Sequence, residues 1–212
     1  MIPINKEAEP QEWTNRRTTP GVVKFEPIRE LKEALLREQG YLCAYCMRRI
    51  PAKDGRESAD SKVEHLKSQY DRGDLQMEYT NLAICCPGYL RSEAHCDKSK
   101  GPRSISFDLH SPELSKAVLY NARDGSIYSK DEVLNSEMNE LLNLNHYLLK
   151  YNRLEKLEAL REEMNRLGWK KGTIRRKLEK YSSKNQEGKL EPFCGIMIWY
   201  LQRKISDQNN RS

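Results

Sequence analysis

Several features are scarce or missing in this chain of 212 residues. Its opening, Met1-Ile-Pro-Ile-Asn-Lys6, lacks the apolar core of a secretory leader, and no long apolar run occurs anywhere. No membrane association is therefore expected, and a cytoplasmic address follows, where thiols stay reduced. No Gly-x-x-x-x-Gly-Lys loop is present, so the chain has no phosphate-cradling element with which to gate itself. Internal repeats and low-complexity tracts are absent too. The pattern before Cys43 is helical rather than a strand of a βαβ unit, which argues against a thioredoxin-like redox role for Cys43-Ala-Tyr-Cys46.

Charge, by contrast, is plentiful. Charged residues make up 32% of the chain and hydrophobic residues 37%, which is apolar and patterned enough for one sizeable core. The net charge of +6 and pI near 8.9 favour polyanionic partners, nucleic acid above all. The stretch from Lys150 to Lys180 holds 11 Lys/Arg against 5 Asp/Glu. Lys170, Lys171, Arg175 and Arg176 within it are candidate backbone-phosphate contacts, or else a solvated helix face.

The segment from Cys43 to Gly101 is the richest in chemistry. Cys43 and Cys46 carry the two-residue gap that lets both sulfurs wrap one ion, and Cys86 and Cys96 are the best candidates to complete a structural zinc site. Cys85 is an alternative to Cys86, and His95 to Cys96. Cys194 lies among apolar residues and reads as a small core side chain. Glu64, His65, Asn81 and Asp97 do not belong to a soft thiolate site. Carboxylates suit a hard divalent ion, Mg²⁺ or Mn²⁺, and a neutral imidazole is the natural base near pH 7. Asn81 is able either to fix the histidine tautomer or to pin the loop that carries the histidine. Glu64 and His65 are neighbours on an expected strand and point to opposite sides unless the strand bends. Lys98 and Lys100 are candidate phosphate contacts. His110 and His146 have no acidic or thiol neighbours in register and read as structural.

Residues 1–24 carry Pro3, Pro10 and Pro20 without a clean period and read as an extended arm. A helix is expected to open at Glu26-Pro27 and stop at Gly40. Short strands are expected at Val63–Leu66 and Leu82–Cys86, with polar loops at 53–62 and 70–79. Ser104–Leu109 and Ala117–Tyr128 read as further strands, the latter turning at Asp124-Gly125. Beyond Glu132 the period is helical. One helix runs to Leu167 and stops at Gly168. A basic helix over Thr173–Tyr181 and an apolar one over Phe193–Ile205, with a frayed polar tail, complete the chain.

In order, Cys43-x-x-Cys46, Glu64-His65, Asn81-Leu82-x-x-x-Cys86 and Cys96-Asp97-x-x-Lys100-Gly101 resemble the HNH endonuclease motif. The resemblance implies an α+β protein with a small ββα-metal core and a structural zinc, embedded in a mainly helical chain. Its parts would be the arm (1–24), the nuclease module (25–110), and a β-hairpin with helices (111–212). It implies His65 as general base, Glu64 and Asp97 as ligands of a catalytic Mg²⁺ or Mn²⁺, and Asn81 in an orienting place. The chain departs from the family pattern at Glu64, where Asp is usual, at Asp97, where His or Asn is usual, and in the insertion from Pro87 to His95. Gln39-Gly-Tyr-Leu-Cys-Ala-Tyr-Cys46, the Glu-His pair, that insertion and Leu142-Asn143-Leu144-Asn145 are similar to PtuB proteins, effectors of Septu-type and retron-associated antiphage systems. This implies a PtuA-type ATPase as partner and a retron reverse transcriptase with its msDNA as further associates. The arm before Pro27 and the helices after Glu132, both outside the nuclease motif, are the candidate docking surfaces. A non-catalytic zinc module that binds nucleic acid or protein is the alternative. It would keep the cysteines and have no need of Glu64, His65, Asn81 and Asp97.

Overall fold

A computed structural model describes residues 1–50 and 61–209. The chain is α+β, with helices and small two-stranded antiparallel ladders. The polar loop expected at 53–62 and the tail beyond 209 fall wholly or mainly outside the described residues.

The arm is not simply extended. Residues Gln11–Thr18 form helix α1, entered from Pro10 in extended backbone. Trp13 is fully buried and donates its indole N–H to the Met77 carbonyl at 3.2 Å. Met1 and Ile4 are buried as well, and the Ile4 amide donates to Leu109 at 2.8 Å. These anchors belong to the core of this chain. Helix α2, Arg29–Glu38, starts two residues after Pro27 and buries Leu31, Ala34, Leu35 and Leu36 against the first ladder.

That ladder pairs β1 (Lys62–His65) with β2 (Leu82–Cys85), with Glu64 opposite Ala83 and His65 opposite Leu82. All four residues of β2 are buried. The Gln39 side chain ties α2 to β2: its amide nitrogen donates to the Leu42 and Ile84 carbonyls at 2.8 and 2.9 Å, and its oxygen accepts from the Ile84 amide at 2.7 Å. The Ala44 amide bonds to the Ile84 carbonyl at 3.1 Å, so the first cysteine pair is laid along the same strand.

A small hairpin follows, β3 (Tyr89–Leu90) with β4 (Glu93–Ala94), and then the one-turn helix α3, Asp97–Lys100. The Leu142–Asn145 loop buttresses this segment. The Cys96 amide donates to the Leu142 carbonyl at 2.8 Å, and the Asn143 side chain donates to Ala94 at 2.9 Å.

Residues 104–109 form no strand. Ile105 and Leu109 are buried, yet the run makes only isolated bonds, such as Ile105 to the Leu66 carbonyl at 3.2 Å, and joins no ladder. After α4 (Leu114–Ala117), the expected hairpin shrinks to β5 (Leu119–Tyr120) and β6 (Ile127–Tyr128). Gly125 in its turn has φ +72°, a conformation natural to glycine. The buried Arg153 donates to the Gly125 carbonyl at 2.6 Å and to Leu144 at 2.9 Å, locking the turn onto the helices.

Helix α5 (Glu132–Ser136) is capped by the Asp131 carboxylate and runs into one π turn, Glu137–Leu141. Helix α6, Tyr147–Leu167, buries Leu149, Leu157, Leu160 and Met164 and ends at Gly168, φ +79°. Helices α7 (Lys171–Ser182) and α8 (Cys194–Asn209) pack against each other. Cys194 is fully buried there.

Candidate metal centre and the cavity beside it

The four cysteines converge. The sulfurs of Cys43, Cys46, Cys86 and Cys96 all lie within 4.8 Å of one another, and all four side chains are buried. A zinc–sulfur bond of about 2.3 Å in tetrahedral geometry puts neighbouring sulfurs about 3.8 Å apart. Cys43 and Cys96 stand at 3.8 Å, and Cys46 and Cys86 at 3.9 Å. The donor set and its spacing fit a metal such as zinc. The packed sulfurs bias one another. Burial pushes the Cys43 thiol up, but the neighbouring sulfurs together outweigh it and hold the thiol well below its ordinary value, whereas burial and the neighbouring sulfurs push Cys46 and Cys96 well up. Cys85, on β2, is buried outside this group. His95 is not a ligand either. Its Nδ1 lies 3.1 Å from the Cys96 sulfur, where it supports that ligand from behind.

Directly after Cys96 the chain turns into α3 and presents Asp97. Glu64, His65 and Asp97 line one cavity of about 410 Å³, together with Ser68, Tyr70 and Lys100. Glu64 is buried, and its Oε1 accepts from the Tyr45 hydroxyl and the Lys100 ammonium, each at 2.9 Å. Its carboxyl is pushed up to about 8, first by burial and then by Asp97 beside it, with Lys100 opposing. A cation between the two carboxylates would relieve that crowding. Among the described residues these side chains do not form a three-ligand cluster as the cysteines do. Two carboxylates with water and substrate oxygens are nevertheless the usual equipment for Mg²⁺.

His65 ends β1. Its Nε2 lies 3.0 Å from the Gln76 carbonyl, which is an acceptor only, so Nε2 carries the proton and Nδ1 the lone pair in the neutral ring. Burial holds the imidazole below its ordinary value of 6.5, against the pull of the Gln76 carbonyl. Phe25, the first residue after the arm, packs edge-on against the ring at 4.4 Å, and Trp13 of the arm meets Phe25 at 5.7 Å. The Gln76 side chain in turn donates to the Val23 carbonyl at 3.1 Å. The arm therefore braces both the imidazole and the loop that orients it.

Asn81 does not touch the imidazole. Its oxygen accepts from the Lys67 amide at 2.8 Å, and its nitrogen donates to the Lys67 and Leu75 carbonyls at 3.0 and 3.1 Å. Of its two expected roles, the one seen is pinning the loop after His65. Lys100 needs a correction: it is 2% exposed, and its ammonium serves Glu64, the Arg103 carbonyl at 2.6 Å and the His65 carbonyl at 3.3 Å. All three donors are spent inside the chain, so it is not a phosphate contact. Lys98 is exposed beside Asp97. Lys170, Lys171, Arg175 and Arg176 are exposed around the start of α7 and line none of this cavity. His110 bridges the Ile4 and Thr80 carbonyls, and His146 caps α6, both structural places.

Nothing in the residue pattern points to Gln76, Phe25, Trp13 or Tyr45 as neighbours of the site. Gln76 acts through a carbonyl that every residue has, and the aromatic contacts come from a segment distant in the chain. No protein-family model matches the chain, and no curated protein matches it.

Proposed function

We propose that this protein is a metal-dependent endonuclease of the HNH kind, cleaving phosphodiester bonds of DNA or RNA. One observation carries the reading: the Nε2 of His65 is tied to a backbone carbonyl, which leaves Nδ1 as the basic atom of a residue that lines one cavity with two carboxylates. His65 Nδ1 takes a proton from water as the water oxygen bonds to phosphorus and the 3′ oxygen leaves. Such a positioned base contributes roughly 10²–10⁴-fold. Glu64 and Asp97 are the residues that would hold a divalent ion, Mg²⁺ or Mn²⁺. Such an ion, when bound, supplies Lewis-acid stabilisation of the phosphate and of the leaving oxygen. Lys98, exposed next to Asp97 with its ammonium 5.8 Å from the Tyr89 ring, is outside the cavity lining and would have to swing to reach a phosphate oxygen there. The β1–β2 ladder and α3 would make up a ββα core interrupted by the β3–β4 hairpin, and a zinc in the cysteine frame would fix where α3 begins.

The similarity to PtuB proteins extends the proposal to an antiphage effector controlled by a PtuA-type ATPase, since nothing in the chain resembles a nucleotide-driven gate of its own. A second reading, a non-catalytic zinc module, draws on Lys100. Its ammonium already neutralises Glu64 without any metal.

The test is incubation of the purified protein with DNA and with RNA, in Mg²⁺ or Mn²⁺, with and without the ATPase. Metal-dependent cleavage in any arm supports the nuclease. Zinc-loaded, folded protein that cuts nothing in every arm supports the module.

A further inference from the structure

Contacts between cations and aromatic rings concentrate in one place that the catalytic reading does not use. It is the groove between the β5–β6 hairpin and α8. Two cavities there, of about 670 and 680 Å³, adjoin across Tyr128, Trp199 and Arg203, which line both. The Arg203 guanidinium lies 5.0 Å from the centre of the Trp199 ring. The Lys204 ammonium stands 5.3 Å from Tyr200 and 5.7 Å from Trp169. Arg123 on the hairpin lip is exposed. Among the described residues, Arg123, Arg203 and Lys204 make no ion pair. Two acids line the groove. Asp131 is occupied in capping α5, and Asp207, exposed one turn beyond Arg203 on α8, makes no ion pair with these cations among the described residues, so the cations outnumber the one carboxylate left to them.

The floor is rigid. Asn145 donates to the Asn139 side chain at 2.6 Å, Asn139 donates to the Asn135 side chain at 3.1 Å, and Asn145 accepts from the Ile127 amide at 2.8 Å. These amides bond to one another and to the hairpin, so the floor is set before any ligand arrives. Cations without carboxylate partners call for anions. Rings interleaved with those cations call for flat groups that stack. Phosphates alternating with unpaired bases meet both demands, and a paired base offers no free face to a ring.

We propose that this groove binds single-stranded nucleic acid. Phosphates would lie against Arg123, Arg203 and Lys204, and a base against Tyr128; the Tyr200 ring is already occupied by Arg161 at 4.9 Å and Lys204 at 5.3 Å. The proposal goes beyond the nuclease reading and does not depend on it. A free nucleotide shares the same chemistry, and the experiment separates the two.

Binding is measured by fluorescence anisotropy on full-length protein carrying His65→Ala. The probes are single-stranded DNA and RNA oligonucleotides, a duplex of the same sequence, and ATP. The double variant Arg123→Ala/Arg203→Ala should weaken single-strand binding tenfold or more. It should also flatten the salt dependence by roughly 0.7 in log–log slope for each phosphate no longer neutralised. Tyr128→Ala should cost roughly 5- to 100-fold, and Tyr128→Phe, which keeps the ring, should cost little. All three positions are exposed, so the variants should melt like the parent. Unchanged affinity in these variants overturns the proposal. So does an equal loss from Arg175→Ala/Arg176→Ala outside the groove, tighter binding of the duplex, or a groove that takes up ATP and no oligonucleotide. Cleavage is scored separately on the wild type, so a strand held without any cutting would uphold the groove and sink the nuclease.

Discussion

The cysteine cluster and the cavity beside it meet at Cys96 and Asp97, adjacent in sequence, yet they are organised by opposite means. In the cluster, four like side chains face one point, fully enclosed, and their own chemistry defines the site. In the cavity, Glu64, His65 and Asp97 differ in kind, and each is aimed by something else: a buried ammonium and a tyrosine hydroxyl, a backbone carbonyl and a phenylalanine edge, or the start of a one-turn helix. A closed metal shell can be recognised from its ligands alone. An open reactive site depends on neighbours whose residue types say nothing about their role.

The largest effect that would test this contrast is loss of a cysteine ligand. Cys46→Ser should remove the metal and with it folding free energy on the order of 10 kcal/mol, giving insoluble or metal-free protein by zinc analysis. Soluble Cys46→Ser protein with its full zinc content would mean that the enclosed site is held by other ligands.

Next comes the charge buried between the two regions. Lys100→Ala, read above about pH 8 where Glu64 is ionised, leaves that buried carboxylate without its ammonium, and breaking such a pair costs about 3–5 kcal/mol. Urea denaturation should show that loss. A change below about 1 kcal/mol would return Lys100 to the surface role expected from sequence.

Asn81→Ala should cost about 2–3 kcal/mol, since one side chain satisfies three backbone groups of the loop behind His65. Cleavage should fall with it while zinc content holds. Full cleavage in a folded Asn81→Ala protein would show that loop pinning is irrelevant to the cavity.

The smallest effect is in pH. Burial keeps His65 below 6.5, so the imidazole stays neutral, and able to accept a proton, as pH falls past that value. In saturating Mg²⁺ or Mn²⁺, where a bound ion keeps Glu64 ionised, the acid limb of the cleavage profile should therefore be that of His65 and lie below 6.5. The same shift makes folding lose stability only as pH drops from 6.5 through the lower native value, because the unfolded chain takes up the proton first. An acid limb above 6.5 would contradict the burial argument.

Much of the frame is legible because it rests on residue type and spacing. Cys43 and Cys46 declare a metal ligand pair, and the leucines of α6 declare a helix that stops at Gly168. The choice of Cys86 over Cys85 needs the strand, since neighbouring residues face opposite sides. The helix over Gln11–Thr18 is hidden in the sequence because its polar run buries only Trp13, which leaves no apolar period to find. Ser104–Leu109 has the composition of a strand, but no partner lies alongside, and a strand exists only as part of a ladder. Lys100 misleads because a lysine beside a candidate site reads as a phosphate contact until its burial against Glu64 is seen.

The central claim is that His65 is a base aimed by its neighbours and not a packed core histidine. The most direct test is His65→Ala, read twice on one preparation, by thermal melting with zinc content and by Mg²⁺- or Mn²⁺-dependent cleavage under conditions where the wild type cuts. The account predicts near-parental melting, full zinc and a loss of cleavage of roughly 10²-fold or more. A folded, zinc-replete His65→Ala protein that cuts at close to the wild-type rate would contradict it.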